Sequence, residues 1–139
     1  MSHIRKQLRD KVKTLLTPIF GSKKVFVNRT HAVQAVDLPC AIVTTDRDTR
    51  EVLSSNSWEV QIELTVRVYE KAYSNVDDAM DALCVSVENA FIADTTISAQ
   101  TLEINQTAID IEDGDQPIAV ATMAYTALFY GVSDPEQVI

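Results

Sequence analysis

The chain has little glycine, little histidine and little cysteine: three, two and two residues in 139. With so few glycines there is scant material for a phosphate-cradling loop, and no GxGxxG, P-loop, HExxH, CxxC or GxSxG pattern occurs. His3 and His31 have no evident partner for general-base catalysis. Cys40 and Cys84 lie in the apolar segments LPCAIV and ALCVSV, where they read as small buried hydrophobes. Both stand far from either histidine, so a zinc site of closely spaced ligands is not expected. No apolar run of about 18 residues is present, and neither a transmembrane helix nor a membrane partner is expected. The opening residues MSHIRKQLRDKVK lack the apolar core of a signal peptide, so the expected compartment is a cytoplasm, and there a disulfide is not expected. These absences favour a protein without catalytic, metal or cofactor-binding residues.

What is present is an ordinary globular composition, 46% hydrophobic and 23% charged, in a length that suits one domain with its own core. The net charge of −8 argues against general or sequence-specific nucleic-acid binding. Its distribution is uneven: residues 1–24 carry +6 and residues 25–139 carry −14. A basic end on an acidic body suits directional docking. Two acidic clusters, Asp46/Asp48/Glu51 and Asp110/Glu112/Asp113/Asp115, read as solvated turn charges, since the second lacks the terminal glutamate of a calcium loop.

Apolar periodicity predicts seven elements. Ile4, Leu8, Val12, Leu15 and Leu16 recur at helical spacing over residues 2–17, with Ser2 as N-cap and Pro18 and Gly21 closing the helix. Arg5, Arg9 and Lys13 form a basic stripe along it, a candidate docking face. Residues 24–28 and Cys40–Thr45 read as strands, the second with so little alternation that both its faces should be covered. Polar residues 46–57 read as a long loop or a protruding hairpin, in which Arg47, Asp48, Arg50 and Glu51 are candidate contacts. From Trp58 to Tyr69 the alternation is strict, with Trp58, Val60, Ile62, Leu64, Val66 and Val68 on one side.

Residues 76–92 read as a second helix with Val76, Met80, Leu83, Val87, Ala90 and Phe91 on one stripe, and Asp77 and Asp78 in its first turn. In Leu102–Glu112 the apolar phase shifts, which calls for a bulge near Gln106–Ala108. Asp113-Gly114 reads as a hairpin turn into a last strand, Ile118–Tyr130. Both faces of that strand are apolar, and Met123, Tyr125 and Phe129 are candidate intersubunit contacts. The segment from Ser133 onward has little to bury and is expected to be flexible. The result is an α+β domain spanning 1–131, with a tail over 132–139. Its single antiparallel or mixed sheet of four to five strands carries two main helices, in the order α-β-β-β-α-β-β.

This succession resembles the tail-terminator family of long-tailed bacteriophages. The resemblance rests on Leu8-Arg9-Asp10-Lys11-Val12 in the first helix and on Leu38-Pro39-Cys40-Ala41 leading into a strand. It continues through Ser57-Trp58-Glu59-Val60-Gln61-Ile62-Glu63-Leu64, the Asp-rich start Val76-Asp77-Asp78-Ala79-Met80-Asp81-Ala82, and the closing Ala124-Tyr125-Thr126-Ala127-Leu128-Phe129-Tyr130. No single motif is specific; their order spans nearly the whole chain. The resemblance implies a structural virion protein, hexameric once assembled, that forms a ring on the head-proximal end of the tail tube. There it would stop tube polymerisation and present a surface to the head connector, its partners being the tube protein and the connector or neck protein. On this reading, deleting Arg47–Ser54 is expected to spare folding and abolish capping. The rival readings are another head–tail completion or neck protein, a small-molecule-binding α+β domain, and an enzyme built from dispersed residues.

Overall fold

A computed structural model describes residues 3–27, 37–71, 76–94, 102–112 and 117–137. The elements are α1 (Ile4–Phe20), β1 (Val25–Val27), β2 (Cys40–Ser54), β3 (Ser57–Lys71), α2 (Val76–Ala93), β4 (Leu102–Glu112) and β5 (Ile118–Val132). The order and the α+β class are those expected from the sequence. The strands form one five-stranded sheet in the order β1-β2-β3-β5-β4, parallel between β1 and β2 and antiparallel elsewhere. Among the described residues no helix is long and apolar enough to cross a membrane.

The strict alternation of β3 sets the architecture. Val60, Ile62, Leu64, Val66 and Val68 are all buried on the face that carries both helices. Direct cross-strand partners share a face, so Ala41 and Val43 of β2 join them, as do Ala121, Met123, Tyr125, Ala127 and Phe129 of β5. Against this floor α1 lays Ile4, Leu8, Val12, Leu16 and Phe20, and α2 lays Met80, Cys84, Val87 and Phe91. The Phe91 ring meets Tyr125 edge to face, with centroids 5.0 Å apart. Cys40–Val43 are all buried, as their lack of alternation suggested. Cys40 and Cys84 are free and buried.

Several boundaries differ from the sequence reading. The helix cap is His3, whose Nδ1 accepts the Arg5 N–H at 3.1 Å; Ser2 lies outside the described residues. Pro18 does not stop α1 but sits within its last turn, and Gly21 ends the helix at φ 98°, where a side chain would be strained. Of the two readings offered for residues 46–57, the protruding hairpin is the one found. These residues are the far half of a β2–β3 ribbon whose turn is Ser55-Asn56. Each ribbon strand has 15 residues, a span of roughly 50 Å at about 3.3 Å per residue.

The expected bulge in β4 exists, slightly earlier: Asn105 is the extra residue between Ile104↔Tyr125 and Gln106↔Ala124, and its Nδ2 donates to Thr126 Oγ1 at 2.6 Å. Asp113-Gly114 lies outside the described residues. Residues 132–137 make contacts that the expectation of a flexible tail did not include. Val132 is buried in β5. The Pro135 carbonyl accepts the Ile4 N–H at 2.9 Å, and Gln7 Nε2 donates to the Gln137 carbonyl at 2.9 Å. The first turn of a helix has unpaired N–H groups, and this segment supplies an acceptor for one of them.

Leu64 is fully buried on the central strand, so Leu64→Ala should cost about 2–5 kcal/mol in urea unfolding. Ile104 is 45% exposed, and Ile104→Ala should cost less than about 1 kcal/mol.

Candidate interaction surfaces

Residues in α1 adjacent to its buried stripe must lie against whatever flanks the helix, and here that is β2. Arg9 Nη1 donates to Thr45 Oγ1 at 2.6 Å, and Arg5 Nε lies 3.5 Å from Asp48 Oδ2. The basic stripe is therefore not a free docking face: two of its three members tie α1 to the ribbon, and Lys13 is half-buried. The exposed pair Lys6–Asp10, at 2.6 Å, occupies the outward side.

The ribbon residues separate onto two faces because Asp46 is an extra residue between Thr45↔Leu64 and Arg47↔Glu63. Beyond it Asp48, Arg50 and Val52 share the helix-side face with Ile62, Val60 and Trp58. Arg50 lies 5.8 Å over the Trp58 ring. Arg47, Thr49 and Glu51 share the opposite face with Glu63, Gln61 and Glu59. Arg47 Nη2 pairs with Glu63 at 2.6 Å, while Glu51 stands directly across from Glu59, an unfavourable like-charge pairing. Asp46 turns onto the same open face, accepting from Thr44 Oγ1 at 3.1 Å and from buried Thr65 Oγ1 at 2.5 Å. The candidate cluster Asp46/Asp48/Glu51 is thus divided between faces. Among the described residues no group of three or more His, Cys, Asp or Glu is placed to hold a metal ion. Asp113 and Asp115 of the other cluster lie outside them.

At its far end the ribbon exposes two aliphatic side chains, Val52 and Leu53, next to the small polar turn Ser54–Ser57. The proposed deletion of Arg47–Ser54 would do more than trim this end. It removes the partner strand of Ser57–Glu63 and the carboxylate that holds Arg5, so it would not spare folding.

Met123, Tyr125 and Phe129 are corrected as interface residues: all three are buried beneath the helices. The odd-numbered face of β5 is the core face because it shares register with the apolar face of β3. Of the three, Tyr125 also lines a surface cleft, a groove of about 430 Å³ shared with Glu88, Phe91, Ile92, Leu102 and Ile104. Its hydroxyl is buried without a hydrogen-bond partner. Burial, with Glu88 and Cys84 nearby, pushes the phenol well above its ordinary pKa of 10, so it stays neutral. Burial likewise pushes the Cys84 thiol up, reinforced by Glu88 and Asp81.

The sequence reading missed the wall of this groove. Val85, Glu88 and Ile92 fall at i, i+3 and i+7 on α2, beside its buried stripe. The shifted apolar phase of β4 was the available signal: it turns Ile109 and Ile111 to the helix side, where neither described helix buries them. A second, shallower cleft lies between the helices at Asp10, Lys11, Thr14, Leu15 and Asp94. Comparison of the sequence with family models and with curated proteins returned no match.

His3 gathers the helix start, the ribbon and the C-terminal segment at one corner. Burial, then Arg5, depresses its pKa below the ordinary 6.5, with Asp48 opposing. The unfolded chain therefore takes the proton more readily. The cap's contribution is complete above pH 6.5 and is lost as pH falls through the depressed value. His3→Ala should cost about 1 kcal/mol at pH 8. His3→Asn, which keeps a cap acceptor, should flatten the dependence of stability on pH between 7 and 5 measured by urea titration.

Proposed function

We propose that the protein is a structural subunit of a phage or prophage tail, acting as a terminator at the head-proximal end of the tail tube. The observation that carries this reading is the β2–β3 ribbon. It runs past the helix layer and ends in exposed Val52 and Leu53, 69% and 49% accessible. Exposed adjacent aliphatic side chains at the end of a stiff ribbon have little use in an isolated subunit and fit insertion into a neighbouring surface. The element order α-β-β-β-α-β-β supports the same reading, since the family resemblance rests on that order.

The mechanism is steric. A ring of subunits, six in the family, seats on the last ring of the tube protein and covers the surface to which the next ring would add. The opposite side is left for the head connector. The partly paired charges of the ribbon, Arg47–Glu63 on one face and Arg5–Asp48 on the other, hold the end in place without an apolar core of its own. The like-charge opposition of Glu51 and Glu59 is relieved when a basic group of the neighbour enters between them. No catalytic step is part of this role.

Val52→Glu combined with Leu53→Glu removes the aliphatic end and leaves every core contact. The variant should unfold within about 0.5 kcal/mol of the parent. Mixed with tail tubes and viewed by electron microscopy, it should fail to cap them, and in assembly tails should overrun their set length. Normal capping by the variant would reject the ribbon as the contact. Binding of the parent chain to the portal complex, with tubes ignored, would make the protein a neck component instead.

A further inference from the structure

The helix layer is narrower than the sheet. Helix α1 packs on β1 and β2, and α2 packs on β3 and β5. β4 forms the sheet's outer edge, and its helix-side residues are left accessible: Ile104, Ile109 and Ile111 at 45%, 42% and 52%. The facing wall of α2 adds Ile92 at 75% and Val85 at 52%. Together they line an apolar trough in the same layer as α1 and α2. At one end of it lies the groove floored by Tyr125, whose buried hydroxyl has no partner.

The charges around the trough have one sign. Asp81 and Glu88 lie on the same α2 stripe as Val85 and Ile92, and neither α2 nor β4 has a basic residue; the β4 carboxylates Glu103 and Asp110 lie on the opposite face of the sheet. Two copies of β4 brought together would oppose carboxylate to carboxylate, which disfavours a second copy as the occupant. The exposed isoleucines point to the helix side and not along the hydrogen-bonding edge, so an added strand would leave them bare.

We propose that this trough is the docking site for an amphipathic helix of a partner protein. Its apolar stripe covers Ile92, Ile104, Ile109 and Ile111, its flanking lysines or arginines meet Asp81 and Glu88, and one hydrogen-bonding side chain reaches Tyr125 Oη. This surface is separate from the ribbon and does not depend on the tail-terminator reading.

The test titrates the full, isotope-labelled chain with a synthetic helical peptide that has leucines at i, i+3, i+4 and i+7 and lysines on both flanks. A counterpart carries glutamates in place of the lysines. The lysine peptide should shift the methyl resonances of Val85, Ile92, Ile104, Ile109 and Ile111, and the glutamate peptide should not. Ile109→Ser changes a partly exposed edge-strand side chain and should weaken binding about tenfold or more while the chain keeps a single cooperative thermal transition. Asp81→Lys with Glu88→Lys should reverse the preference between the two peptides. Three results would overturn the proposal: shifts confined to other residues, equal binding of both peptides, or self-association of the free chain that Ile109→Ser abolishes, which would make a second copy the occupant.

Discussion

The fold depends on one constraint, the unbroken two-residue period of β3. This strand is paired along nearly its whole length on both sides, with β2 and with β5. Its apolar side chains define which face is interior, and its neighbours must match their own phase to it. Each neighbour does so imperfectly and corrects the mismatch with an extra residue, Asp46 and Leu53 in β2 and one near Gly131 in β5; β4 corrects against β5 at Asn105. Gly131 has φ 67°, and a Cβ there would meet nothing within 4 Å, so its glycine serves backbone geometry and not space. Both helices then bury their stripes on a surface already settled by the strands.

That hierarchy explains what was legible beforehand. Elements with strong periodicity, α1, β3 and α2, could be read because local pattern and tertiary burial agree in them. The far half of β2 could not, because Asp46–Ser54 is an outer ribbon strand paired on one edge with β3 and with no described strand on the other. Its alternation is between charged residues and not between apolar and polar ones. The candidate contact residues divided along the same line. The ribbon residues Arg47, Arg50 and Glu51 lie exposed, as their polarity suggested, while Met123, Tyr125 and Phe129 are buried; both faces of β5 are apolar, and sequence cannot say which one meets the helices. The isoleucines of β4 were visible as a phase, but their exposure follows from the number of helices relative to strands, a property of the whole domain.

Electrostatics follow the same division of labour. The excess of basic residues in α1 looks like an outward-facing feature when charge is counted along the chain. In the folded domain Arg5 and Arg9 reach β2, Arg5 as an ion pair with Asp48 and Arg9 as a hydrogen bond to Thr45, so part of the basic stripe is turned inward. Among the described residues α2 and β4 carry acidic side chains and no basic ones, a surplus that favours partners of opposite charge.

The extra residue at Asp46 has a consequence for how the ribbon can vary. Arg47 pairs with Glu63 directly after Thr45 pairs with Leu64, so the chain could shorten by one at Asp46 without turning any other side chain to the other face. A one-residue change between Arg47 and Val52, by contrast, would exchange inside for outside along the stretch between the change and the next extra residue. The ribbon is therefore built with joints: its length is adjustable at Asp46 and Leu53 and locked between them, and descendants of this sequence that differ in ribbon length should differ at those two places.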